Sequence, residues 1–309
     1  MNDAAPTVRL SHLHKSYGQT VAVEDLSLEI LPGEIFGLIG PDGAGKTTVM
    51  RIVAALTRPN GGQAEVLGYD VATHPMRVKE HIGYMPQRFS LYPDLTVAEN
   101  LRFFADLYKV PATERVAREE RLMQFSRLGP FRKRRAAQLS GGMKQKLALA
   151  CTLMHTPEVL ILDEPTTGVD PLSRQEFWAI LRELAASGHA LLLSTPYMDE
   201  ALLCNRVALM HHGRVLTLGQ PQDIPALFAR RLLEIVVGDV PRARQRLLNC
   251  GPAGTQVHRF GDRLHVVYDT ADQERQIRSC LAEESAEIFT VSPSIEDTFV
   301  TLMREVSSP

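Results

Sequence analysis

Two segments of this 309-residue chain carry side chains at spacings that do phosphate chemistry. The first, Gly40-Pro41-Asp42-Gly43-Ala44-Gly45-Lys46-Thr47, satisfies G-x-x-x-x-G-K-[ST] in full and is followed by Thr48. Glycines let a loop curl until its N–H groups point at phosphate oxygens. A helix beginning at that loop adds the positive end of its dipole. At this spacing Lys46 reaches the β- and γ-phosphates of a nucleotide, and the Thr47 hydroxyl is a ligand for Mg2+. The second segment, Val159-Leu160-Ile161-Leu162-Asp163-Glu164, is an apolar run closed by two carboxylates. Asp163 is placed for the Mg2+ shell. Glu164, one residue on, is placed to polarise an attacking water as general base. The plain alternatives are a glycine-rich turn with an accidental lysine, and an acidic pair that only caps the next helix. A buried strand before the loop and a helix after it argue against the first. The distance between the two segments argues against the second.

Such groups need a rigid frame, and the pattern from Thr7 to about Gln220 supplies one. Val8-Arg9-Leu10, Val21-Ala22-Val23 and the strict alternation Leu26-Ser27-Leu28-Glu29-Ile30 read as strands, closed by a Pro32-Gly33 turn. Ile35–Ile39 is a short apolar run suited to a buried strand, and Thr47–Leu56 has helical spacing. Further strands fall at Val159–Leu162, Ala190–Leu193 and Val207–Met210, with helix-length segments between them. This alternation predicts an α/β domain over 7–220 with a mostly parallel sheet core and antiparallel N-terminal strands. Between about 88 and 150 the periodicity is helical throughout, a helical subdomain. Within it, Lys109–Arg135 carries nine basic residues against three acidic ones. A solvated face is the first reading of such a run, a docking surface the second. From 221 to 309 strands at Leu232–Val237, Arg263–Tyr268 and Glu287–Val291 mix with helices at Arg242–Leu248, Asp272–Ala282 and Ile295–Arg304. They predict a small C-terminal α+β domain.

Composition excludes several classes. The chain is 44% hydrophobic and 23% charged, an ordinary globular profile. Its net charge of −2 argues against a mainly electrostatic nucleic-acid binder. No strictly apolar run exceeds five residues, whereas a membrane-spanning helix needs about 20. The opening Met1-Asn2-Asp3-Ala4-Ala5-Pro6 has no basic-then-apolar leader pattern. Cys151, Cys204, Cys250 and Cys280 are widely spaced, without CxxC or zinc-finger spacing. They read as buried thiols rather than metal or redox groups. His211-His212 precedes Gly213 in a strand–turn–strand pattern and reads as a hairpin turn.

A third motif narrows the class. Leu139-Ser140-Gly141-Gly142-Met143-Lys144-Gln145 opens a helix, and a serine and two glycines at a helix start bind phosphate by the same backbone physics as the first loop. Here the chain resembles the ATP-binding-cassette (ABC) ATPases, with LSGG as signature and Met143 in place of the commoner glutamine. The resemblance covers Thr7 to Gln220 and implies ATP and Mg2+ as cofactors. It implies that Ser140, Gly141 and Gly142 act on nucleotide held by an opposite cassette. Tyr17 matches the aromatic that stacks on adenine, a surface aromatic before Gly18 being the alternative. Gln87, in Gly83-Tyr84-Met85-Pro86-Gln87, resembles the Q-loop glutamine that contacts Mg2+ or water. Gly168-Val169-Asp170 resembles the D-loop, with Asp170 crossing a dimer interface.

One position departs from the pattern. In Ser194-Thr195-Pro196-Tyr197-Met198-Asp199-Glu200, which resembles the switch loop, Pro196 stands where the family has histidine. Proline has neither a side-chain donor nor a backbone N–H. Loss of one preorganised transition-state donor costs about 10²–10³ in rate. In a homodimer both sites would lack it; beside an intact cassette only one would, and this chain's signature would complete the good one. The first cassette of tandem-cassette exporter ATPases is the closer resemblance, and Pro293-Ser294-Ile295-Glu296-Asp297-Thr298-Phe299-Val300 resembles the ending of bacterial drug- and antibiotic-exporter ATPases. Ser294 with Asp297 also reads as a helix cap.

The resemblance implies an ATP-hydrolysing subunit of an exporter. Its partners are a second cassette, in a homodimer or heterodimer, and separate integral membrane subunits, with no nucleic acid. Its place is peripheral, at the cytoplasmic face of the membrane. Phe89, Leu91 and Tyr92 are either the apolar socket for those subunits or ordinary core. Two other functions compete: a regulatory cassette with weak hydrolysis, and a non-transport ABC ATPase acting on nucleic acid.

Overall fold

The computed structural model describes residues 5–88 and 91–307. The chain divides into two compact units, Met1–Pro221 and Gln222–Pro309. The first opens with a hairpin, β1 (Val8–Tyr17) and β2 (Thr20–Ile30), paired antiparallel from Val8↔Ile30 outward. Alternation decides its faces: Leu26, Leu28 and Ile30 are buried while Ser27 and Glu29 are exposed. β3 (Ile35–Ile39) is buried at every position and runs through the glycine loop into α1 (Lys46–Val53). Helix α1 ends sooner than its spacing predicts, because Ala55 turns to a φ of 52°.

Next come β4 (Gly61–Val66), β5 (Tyr69–Asp70), α2 (Pro75–His81) and β6 (Ile82–Met85). A helical region follows: α3 (Val97–Leu107), α4 (Ala112–Phe125) and α5 (Gly141–Thr152). A Thr96–Glu99 capping box starts α3. Part of the basic run around α4 is paired locally, Arg132 with Glu119 at 2.6 Å and Glu120 at 3.1 Å, and Arg118 with Glu114. That fits a solvated face. The core then resumes with β7 (Val159–Asp163), α6 (Pro171–Ala186), β8 (Ala190–Thr195), α7 (Met198–Ala201), β9 (Arg206–His211) and β10 (Arg214–Gly219). The β9–β10 turn is the hairpin expected at His211–Gly213, with His212 at φ 46° and Gly213 at φ 79°.

Two sheets result, one antiparallel in the order β2-β1-β4-β5, the other in the order β10-β9-β3-β8-β7-β6. In the second, β6, β7, β8, β3 and β9 are parallel and β10 is antiparallel. Val49, Met50, Ile52 and Val53 of α1 are fully buried in one cluster with Leu10 and Leu26 of the first sheet and Phe36, Ile161 and Leu192 of the second. Helix α1 is thus the filling between the sheets. At about 25 cal/mol per Å² of apolar surface this is a main source of the unit's stability, and it fixes the helix whose first turn must face phosphate.

The second unit contains β11 (Arg231–Val236), α8 (Val240–Cys250), β12 (Gln256–Phe260), β13 (Arg263–Tyr268), α9 (Ala271–Cys280), β14 (Glu287–Thr290) and α10 (Ile295–Ser307). Its sheet, β12-β13-β11-β14, is antiparallel throughout. A βαββαβ order with that strand arrangement is the ferredoxin-like split βαβ motif. Leu233, Ile235, Leu264 and Val266 of its strands pack with Ala243, Leu247 and Ile277 of α8 and α9. Ser294 and Asp297 cap α10 reciprocally: Ser294 N–H donates to Asp297 (2.8 Å), and Asp297 N–H donates to the Ser294 hydroxyl (3.2 Å).

Cys151 and Cys204 are free and buried, as expected. Cys250 and Cys280 depart from that reading: they are joined as a disulfide, Cα–Cα 6.1 Å, linking the ends of α8 and α9. Thirty residues separate them, and only the side-by-side packing of the two helices makes them neighbours. No described helix is long and apolar enough to cross a membrane.

Candidate nucleotide site

The site lies where three neighbouring parallel strands end. Registers Ile39↔Thr195 and Asp163↔Ser194 align the C-terminal ends of β3, β8 and β7, the edge of an open α/β sheet where ligands bind. Gly45 is the N-cap of α1 with φ 103°, a conformation that L side chains rarely adopt. A Cβ there would also overlap the Ala22 carbonyl oxygen of β2. With no side-chain cap on α1, its first N–H groups stay free for an anion. Lys46 is 4% exposed, and its Nζ donates to the carbonyls of Gly40 (2.7 Å) and Pro41 (3.0 Å). Burial pulls the ammonium below the usual lysine pKa, opposed by the charges of Glu164, Asp42 and Asp163. A triphosphate offers this cation charged acceptors in place of two carbonyls.

The carboxylates sit beside it. Asp163 Oδ1 accepts from the Thr47 hydroxyl (3.1 Å) and from Ser194 Oγ (2.7 Å). Glu164 is 7% exposed, with Oε1 3.8 Å from Lys46 Nζ. Its Oε2 accepts from Gln87 Nε2 (2.9 Å) and Thr167 Oγ1 (3.2 Å). Glu164 has φ 49°, a left-handed backbone that costs on the order of 1–3 kcal/mol and collects at functional sites. Its N–H, donating to Ser194 Oγ at 3.0 Å, helps hold it. Thus Lys46, Thr47, Gln87, Asp163 and Glu164 converge. Thr47, Asp163 and Gln87 offer oxygens, the hard donors Mg2+ takes, so the residues present fit that ion.

The remaining sequence-selected residues stand elsewhere. Ser140 caps α5, accepting from Met143 N–H (3.3 Å), and Ser140 and Gly141 are exposed. A Cβ on Gly142 would overlap Ser173, so this glycine lets α5 start directly against α6. Asp170 caps α6 by accepting from Ser173 N–H (2.9 Å), a bond that holds its carboxyl below the usual range. Signature and D-loop therefore lie together, and no described hydrogen bond or ion pair joins them to residues 40–47. Tyr17 is 49% exposed at the β1–β2 turn, 5.1 Å from Lys15 Nζ. Its hairpin borders the loop through Ala22.

Pro196 follows β8, and Tyr197 N–H turns back to Thr195 Oγ1 (3.1 Å). Of the socket residues, Phe89 lies outside the described residues. Leu91 lines a hollow of about 380 Å³ with Gln87, Arg88, Ala136 and Lys144, and Tyr92 is 44% exposed against Phe103. Sequence reading missed Ser194 and Thr167, which bind both carboxylates. The signal for Ser194 was a hydroxyl at the end of a strand paired with the one ending in Asp163.

The ABC transporter family's sequence profile matches residues 23–167. The probable multidrug ABC transporter ATP-binding protein YbhF of Escherichia coli (strain K12) is 41% identical over 308 residues, 98% of this chain and 53% of the relative. The chain thus spans about half of that protein's length. Nod factor export ATP-binding protein I of Rhizobium etli is 36% identical over 298 residues, 96% of this chain and 92% of the relative. A solved ATP-binding subunit of an ABC transporter has TM-score 0.65 and 32% identity, covering 72% of this chain and 93% of that one. The cassette MJ0796, solved as a dimer in a post-hydrolysis state with ADP and Pi, has TM-score 0.63 and 26% identity, covering 69% and 98%.

Proposed function

The chain belongs to the ABC transporter family, and from that premise we propose that it is the ATP-hydrolysing subunit of an exporter. The observation that carries the reading is the meeting of Lys46, Gln87 and Thr167 on Glu164, next to the Thr47–Asp163 pair. In this reading Lys46 and the first N–H groups of α1 hold the phosphates. Glu164 takes a proton from the attacking water, and Gln87 fixes that carboxylate and exchanges its bond for the incoming water. Mg2+, when bound, neutralises charge on the phosphate oxygens. Export is supported by the printed functions of the relatives, multidrug transport and Nod factor export.

The exposed signature at the start of α5, away from residues 40–47, supports head-to-tail pairing with a second cassette. In this reading the hollow beside Gln87 seats a cytoplasmic helix of the membrane subunits, and the chain is peripheral at the inner membrane face. Pro196 favours a heterodimer in which this chain's own ATP site is the slow one. The same observation favours the second reading, a mainly regulatory cassette that binds ATP and turns it over weakly. Co-purification with an integral membrane protein, together with ATPase assay of chain and complex, tests the first reading. Robust turnover without any membrane partner in cells would contradict it.

A further inference from the structure

A cluster of charges behind the switch loop is used by none of the roles above. Arg174 is in the first turn of α6, four residues after the cap Asp170. Its guanidinium lies 4.6 Å from the Tyr197 ring centroid, 3.4 Å from Asp199 Oδ2 and 3.5 Å from Glu200 Oε1. Glu200 is 1% exposed, and its Oε1 accepts from the Thr166 hydroxyl at 2.6 Å. Thr166 and Thr167 are adjacent: one hydroxyl goes to Glu200, the other to Glu164. Three elements therefore meet on one carboxylate: the turn that carries Glu164, the start of α6, and the switch loop.

The cluster is held but not satisfied. Glu200 Oε2 and Arg174 Nε have no hydrogen-bond partner among the described residues. A buried charge pair repays its desolvation only when its geometry is good and its remaining lone pairs are met. Closing Nε–Oε1 from 3.5 Å to a charge-assisted bond of about 2.7–2.9 Å needs less than an ångström of relative movement.

We infer that Arg174 and Glu200 are positioning residues of the ATP site, which tighten when nucleotide is bound and lock the switch loop and the Glu164 turn to the D-loop helix. The tie would hold the switch loop in place without supplying the phosphate donor that Pro196 lacks. It stands on the reading of Glu164 and residues 194–200 given above, and its test does not depend on turnover.

The test is hydrogen exchange of the full chain with and without Mg·ATP, alongside ATP affinity and thermal melting. R174M/E200Q removes both charges, so neither is left buried alone. Exchange in segments 166–170 and 197–201 should accelerate together by about tenfold in the ATP-bound protein, with ATP affinity falling by no more than about that factor, since a tie that tightens on binding contributes to binding. R174K should recover most of the protection. T166V, which alters no charge, should loosen both segments by about threefold and serves if the double variant does not fold. Acceleration in one segment only, or no acceleration, overturns the tie. A wild type that binds no ATP contradicts the proposed function instead; the tie is then read from exchange of the same segments without nucleotide.

Discussion

The two ends of the candidate ATP site differ in how completely they are furnished. Around the phosphate loop Lys46, Asp163 and Glu164 already have partners: Lys46 on two carbonyls, Asp163 on two hydroxyls, Glu164 on Gln87 and Thr167. At the switch loop, Ser194 and Thr195 serve the backbone and Asp163, and Pro196 offers nothing to a phosphate. Binding and chemistry draw on different ends. A chain can keep the first while weakening the second, because phosphate recognition rests on backbone N–H groups and Lys46. Rate depends on donors that meet charge only in the transition state.

Glu164→Gln should widen the difference most. Turnover is expected to fall by about 10²–10⁴ while ATP affinity holds, read by nucleotide binding and phosphate release on one sample. An equal loss of affinity would make Glu164 a binding residue. Pro196→His should narrow the difference, raising turnover of the isolated chain by up to about 10²–10³.

Gly142→Ala acts at a third place. Its methyl meets Ser173, and overpacking of this kind costs about 1–3 kcal/mol. The expected result is a lower melting temperature and weaker support for the partner's site, with this chain's own ATP affinity unchanged.

The smallest effect lies in the second unit. Burial, then Arg304, pulls His258 down to about 4. At His265 burial also pulls down, but the Asp297 hydrogen bond and charge, with Glu234, raise the imidazole above its usual value. His265 therefore contributes stability that is full below about 6.5 and lost as pH rises through its folded pKa. His258 contributes stability that is lost as pH falls from about 6.5 toward about 4. Imidazole NMR titration should find the two histidines on opposite sides of the ordinary value; a common midpoint would remove the distinction.

Motifs with covalent neighbours were the legible part. Gly40–Thr47, Asp163-Glu164 and Ser140–Gly142 are contiguous, so spacing alone displays their chemistry. The apolar runs of β3, β7, β8 and β9 show equally well because strands buried on both faces need them. What stayed hidden depends on distance in the chain. β4, reading Gly61-Gly62-Gln63-Ala64-Glu65-Val66, has too few apolar residues to announce a strand and is made one by pairing with β1. β12 is similar, its Gln256–Phe260 pairing with β13. Thr166, Arg174 and Glu200 are separated by up to 34 positions, and only the parallel order of β7 and β8 brings them together. The resemblance marks Gly142 for nucleotide and Asp170 for nucleotide and a dimer interface, and the fold gives each a further task, as packing contact and as helix cap.

The proposed ATP site is furnished at its phosphate loop and short of one donor at its switch loop. It is tested most directly by equilibrium binding and single-turnover hydrolysis of Mg·ATP on the same purified chain, wild type beside Pro196→His. Matching affinities are expected, with a slow wild-type rate that the histidine raises. Absent ATP binding, or a fast wild-type rate that the substitution leaves unchanged, would contradict it.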